Sequence, residues 1–86
     1  MKKEDVILYK AIDDILWFDW DPIGVNDNEE IRDEYQGYTP QIFKLKKDGA
    51  DVNKITKHIY QLEIVSMGMT GNKERCKIIA EKIINL

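Results

Sequence analysis

The sequence predicts a small all-α domain: four helices plus one shorter helix around a single core, spanning residues 1–86 as one unit. Three observations predict it. Apolar residues recur at three- and four-residue spacing through most of the chain, proline and glycine fall between these periodic stretches rather than inside them, and no useful run alternates with the period of a strand. The 43% hydrophobic content is ordinary for a folded domain and too rich for a disordered one.

The first helix is expected over 4–20, where Leu8, Ile12, Ile15 and Leu16 share a face with Tyr9 and Trp20. A second stripe, Ile7, Ala11, Asp14 and Phe18, runs at heptad spacing. Burial on two sides is the preferred reading of it, and contact with another copy is the alternative. Asp21-Pro22 stops the helix, because proline disfavours helical geometry in the residue before it. Gly24 then supplies a turn, and Asn26 or Asp27 is placed to cap a short second helix of about ten residues. Ile31 and Tyr35 are its expected core contacts, and its acids sit in the first turn, where the helix dipole favours negative charge.

Gly37 ends that element. Thr39-Pro40 opens the third helix in the order of cap then proline, and Lys46 and Lys47 before Gly49 close it. Asp51 caps a fourth helix over 52–67 with a stripe of Val52, Ile55, Ile59 and Leu62, Val65 lying at its edge and Gly68 just beyond its end. The last helix, about 73–85, presents Cys76, Ile79, Ala80 and Ile83. The expected core is Leu8, Ile12, Leu16, Trp20, Ile31, Tyr35, Phe43, Ile55, Ile59, Leu62, Ile79 and Ile83.

Charge is distributed unevenly. The net charge is −3, yet from Asp19 to Glu34 seven acids face Arg32 alone, and from Lys44 to Leu86 nine basic residues face five acids. An acidic chain with this dipole is not the footprint of a nucleic-acid binder, which is basic overall. No apolar run reaches the roughly 18 residues of a membrane span, and the N-terminus lacks the apolar region of a signal peptide. A cytoplasmic setting with no membrane association is therefore expected. Cys76, the only cysteine, falls on an apolar stripe and reads as a small core residue.

The segments Trp20-Asp21-Pro22-Ile23-Gly24-Val25 and Asp33-Glu34-Tyr35-Gln36-Gly37-Tyr38, with Asp48-Gly49-Ala50 and Met67-Gly68-Met69, resemble the YugE-like group of short bacterial proteins of unknown function. The resemblance covers most of the chain and implies a compact helical domain. It assigns no catalytic role to any residue.

Read physically, Asp21 can accept hydrogen bonds from backbone N–H groups of the following loop, and Trp20 can anchor that loop through an indole N–H that needs a partner. Trp20, Pro22 and Gly24 are thus loop anchors. Asp21, Asp27, Glu30, Asp33, Glu34 and Tyr38 are the candidate partner-binding residues, since aromatic residues among acids suit a protein interface. The acids do not follow the spacing of a calcium loop, so no metal ligand is assigned. No phosphate-binding, dinucleotide or nucleophile-elbow motif is present, and no cofactor or catalytic residue is assigned. His58, the only histidine, reads as a boundary residue. A small hydrolase built on His58 and carboxylates ranks below the two other readings, an adaptor- or immunity-like module for a partner with a basic surface and a homodimer through the first helix.

The face assignment of the fourth helix is tested by Ile59→Asp, which buries an unpaired charge and should abolish the cooperative thermal transition. A native-like melt of that variant, followed by circular dichroism, would overturn the assignment.

Overall fold

The computed structural model describes residues 2–24 and 26–86, so the expectations for Val25 lie outside the described residues. Helix α1 spans Lys3–Asp14 and continues into a wide π-helical turn over Ile15–Trp20, closed by the Asp21 N–H on the Leu16 carbonyl at 3.1 Å. A 3₁₀-helix follows at Glu29–Tyr35, then α2 at Thr39–Lys47 and α3 at Val52–Gln61. Helix α3 also ends in a wide turn, Leu62–Ser66, where the Met67 N–H reaches the Leu62 carbonyl at 3.0 Å. Helix α4 spans Lys73–Ile84, and no strand occurs among the described residues.

Helices α1 and α2 are antiparallel. Asp5 pairs with Lys47 at 2.8 Å, the Tyr9 and Phe43 rings lie 5.4 Å apart, and the Thr39 hydroxyl donates to Asp13 at 3.0 Å. Helix α4 packs with its start against the wide turn, where Arg75 donates to the carbonyls of Asp19 and Trp20 at 3.1 and 2.7 Å. The most extensive helix pair is α3 with α4. One buried cluster joins them all, and the radius of gyration of 12.2 Å matches the roughly 12 Å expected of a folded chain this long.

Several expectations are corrected. The second stripe of α1 is not buried: Ile7 is 61% and Phe18 57% exposed, and Asp14 pairs with Arg32 at 3.0 Å. Trp17, outside the expected core, is fully buried against Tyr35, with ring centroids 5.8 Å apart. The wide turn accounts for Trp17 and Phe18, because the phase of about 100° per residue that orders α1 ceases to hold after Asp14. Ile42 rather than Phe43 is the fully buried apolar residue of α2, and Leu8, Ile31 and Phe43 only line the core.

The second helix is a seven-residue 3₁₀-helix rather than a ten-residue element, and Asn28, not Asn26 or Asp27, caps it by accepting from the Glu30 N–H at 3.1 Å. Two apolar residues are too few to hold a longer stripe, and Ile31 already departs from helical geometry (φ −112°, ψ 30°). Thr39 stands inside α2, bonded to Asp13 instead of capping. Asp51 does cap α3, accepting from the Lys54 N–H at 2.8 Å, and Cys76 is buried.

The loop between α3 and α4 depends on Gly71. Its φ of +84° lies in the left-handed region, and a Cβ there would stand 2.6 Å from the Tyr60 ring and 2.8 Å from Ile64. Gly68 has a similar φ of +65° but open space around it. Gly68→Ala should therefore cost only the backbone term of about 1–2 kcal/mol, whereas Gly71→Ala adds a packing term of about 1–3 kcal/mol. Urea unfolding should rank Gly71→Ala clearly below Gly68→Ala; equal midpoints would contradict the close approach.

Candidate functional site

Two hydrogen-bonded nodes sit on either side of the Trp20–Pro22 turn. In the first, the Tyr35 hydroxyl donates to Asp21 Oδ1 at 2.7 Å and accepts from the Ile23 N–H at 3.3 Å. The Asn26 N–H reaches Asp21 Oδ2 at 3.2 Å, and its side-chain amide donates to the Phe18 carbonyl at 3.2 Å. Asp21 holds a left-handed backbone (φ 30°, ψ 60°) that turns the chain out of the wide helical turn. The segment from Phe18 to Tyr35 is thus closed on itself by one carboxylate and one phenol. Burial and the Asp21 hydrogen bond both push the Tyr35 hydroxyl above its ordinary ionisation range.

The second node is built on Glu63, which the sequence reading did not single out. Its residue is only 4% exposed. Its carboxylate accepts from Trp20 Nε1 at 2.8 Å and from the Asn72 N–H at 3.0 Å, joining the ends of α1 and α3 to the start of α4. Burial, then the neighbouring Glu63 carboxylate, push the Cys76 thiol up to about 12. A raised thiol is a poor nucleophile, so Cys76 is suited to packing. The only hint of Glu63 in the sequence is a single acid beside Leu62 on an apolar face, which periodicity reads as a boundary position.

The structure brings Trp20, Asp21, Pro22, Tyr35 and Tyr38 together. Trp20 lies between Tyr35 and Tyr38, with centroid distances of 5.4 and 6.1 Å. Gly24 takes a φ of +69° at the tip of the same turn, its N–H on the Asp21 carbonyl. Asp27, Glu30, Asp33 and Glu34 are all exposed along the 3₁₀ segment, as is Glu29, and Tyr38 is half-buried. Arg32 points the other way: it pairs with Asp13 at 2.9 Å and Asp14 at 3.0 Å, and its guanidinium stands 5.0 Å from the Trp17 ring. That arrangement removes the one cation of the segment from its acidic face.

His58 stands apart from these groups on α3, with Nε2 2.9 Å from Gln41 Oε1. Burial lowers its ionisation range. Among the described residues no group of three His, Cys, Asp or Glu side chains is placed to hold a metal, and no helix is long and apolar enough to cross a membrane. No protein-family model, curated protein or solved structure matches the chain.

Cys76 and Tyr35 predict how stability responds to alkali. A group whose ionisation is raised by folding stabilises the native state fully below its unfolded value, and that stabilisation is lost as pH rises toward the folded value. For Cys76 the loss should begin near its ordinary value of 9.0 and continue toward about 12; for Tyr35 it should begin near 10.0. Thermal melts from pH 8 upward should show a falling midpoint, and Cys76→Ala should remove the earliest part of the fall. An unchanged pH profile in that variant would contradict the raised thiol.

Proposed function

We propose that this chain is a non-enzymatic protein-interaction module, adaptor- or immunity-like, that binds a partner with a basic surface through the acidic face of its 3₁₀-helix. One observation carries the reading. Asp27, Glu29, Glu30, Asp33 and Glu34 are exposed and make no ion pair within the described residues, while Asp5, Asp13, Asp14 and Asp19 are each matched to a lysine or arginine. The fold pairs four of the five acids from Glu4 to Asp19 and none of those from Asp27 to Glu34, which form the densest run of unpaired acids among the described residues. The Asp21–Tyr35 node supports the reading by fixing the backbone beneath that face, which lowers the entropy lost on binding. The same reading includes a cytoplasmic setting and, through the resemblance to the YugE-like group, a bacterial one.

A second reading, a homodimer through α1, is favoured by the exposure of Ile7 beside a shallow apolar groove lined by Leu8, Ala11 and Leu86. Light scattering across a dilution series separates the two, since a concentration-independent monomer removes the dimer.

The acidic face is tested with Asp27→Asn, Glu30→Gln and Asp33→Asn combined. Wild type should capture a stoichiometric basic partner from native lysate at low salt and lose it at high salt, and the triple variant should bind that partner at least about tenfold more weakly, as expected of electrostatically guided association. Undiminished binding by the variant, or binding indifferent to salt, would contradict the reading.

A further inference from the structure

A cleft of about 260 Å³ opens between the Trp20–Pro22 turn and the loop that leads into α4, with Glu63 in its lining. Pockets for drug-sized ligands usually run to about 300–1,000 Å³, so this one suits a smaller group. Pro22 and Met69 form its apolar wall, and Thr70 stands exposed at its rim.

The two charged residues that line the cleft, Glu63 and Arg75, do not pair with each other. A carboxylate offers about four acceptor directions, and Glu63 uses two of them on neutral donors, the Trp20 indole and the Asn72 N–H. No lysine, arginine or histidine among the described residues pairs with it. The one cation that lines the cleft, Arg75, is held instead by the carbonyls of Asp19 and Trp20, where it caps the end of the first helix. A buried carboxylate that makes no direct ion pair is costly, and a cation entering from solvent would offset that cost. The neutral donors behind it fix its orientation before any ligand arrives.

We propose that this cleft is a binding site for a primary ammonium or guanidinium group on a short aliphatic stem, with Glu63 receiving the head and Pro22 and Met69 covering the methylenes. Two sources share that chemistry, a free alkylamine and a lysine or arginine side chain presented by a polypeptide. The site is separate from the acidic 3₁₀ face. Its failure would leave the interaction reading to the variants of Asp27, Glu30 and Asp33.

The test is nuclear magnetic resonance of the ¹⁵N-labelled full chain titrated with butylammonium chloride, with N-acetyl-lysine-N-methylamide and with 1-butanol. Trp20 Nε1–H and the Asn72 amide, both bonded to Glu63, report on its carboxylate, and Trp17, a second buried indole that does not bond to Glu63, is the internal control. Saturable shifts of Trp20 and Asn72 are expected with the amines, at a Kd on the order of 1–10 mM for one small charged contact, with Trp17 and the butanol titration unchanged. Binding of butylammonium alone assigns the site to free amines, and equal or tighter binding of the lysine derivative assigns it to a side chain. Thr70→Arg places a tethered guanidinium at the rim without altering Glu63, and should weaken the probes at least tenfold while the chain keeps its cooperative melt. The proposal is overturned if neither amine moves Trp20 or Asn72 at about ten times that concentration, or if 1-butanol moves them equally.

Discussion

Glu63 carries a carboxylate into the place where three helix ends converge, and the arrangement of the molecule follows from how that carboxylate is satisfied. One oxygen receives the Trp20 indole at the end of α1, the other the Asn72 N–H at the start of α4, while its own backbone belongs to the wide turn that closes α3. Hydrogen bonds to a charged group contribute about 1.5–3 kcal/mol each, and orphaning a buried donor costs about 1–3 kcal/mol. Against the roughly 5–15 kcal/mol that holds a small domain together, a single side chain with two such bonds is a large fraction. The two wide turns are the backbone's share of the arrangement, ending α1 and α3 where Trp20 and Glu63 meet.

The second node, Asp21 with Tyr35, works on the solvent side of the same tryptophan. It closes the loop after α1 and sets the 3₁₀-helix against the wide turn, with Arg32 reaching back to Asp13 and Asp14. The result sets two groups of acids apart. Those on the first helix and its wide turn, Asp5, Asp13, Asp14 and Asp19, neutralise neighbours and hold elements together. Those from Asp27 to Glu34 face solvent on a framework fixed from beneath, and it is these that the proposed interaction with a basic partner would use.

Periodicity made the helices legible. Ile12, Leu16, Ile55, Ile59, Leu62, Ile79 and Ile83 lie in the core where their spacing places them, because a stripe repeated over several turns has only one face to bury. The limits of that logic fall where helical phase changes. Trp17 and Phe18 exchange places with the expectation because the turn from Ile15 widens, and no residue in that stretch announces it as a proline would. The 3₁₀ segment was legible as a short acidic element but not in its geometry, since two apolar residues cannot distinguish turn types. Around the site, the sequence pointed to Trp20, Asp21 and Pro22, whose chemistry is local. Glu63 lies 43 residues from its indole partner, and no spacing rule joins them.

The claim that Glu63 ties the three helix ends is tested most directly by native-state hydrogen exchange at the Trp20 indole N–H and the Asn72 amide. Both should exchange only through global unfolding, with protection equal to that of core amides such as those of Ile59 and Ala80. Exchange of either at the rate of a frayed loop, with the core still protected, would contradict it.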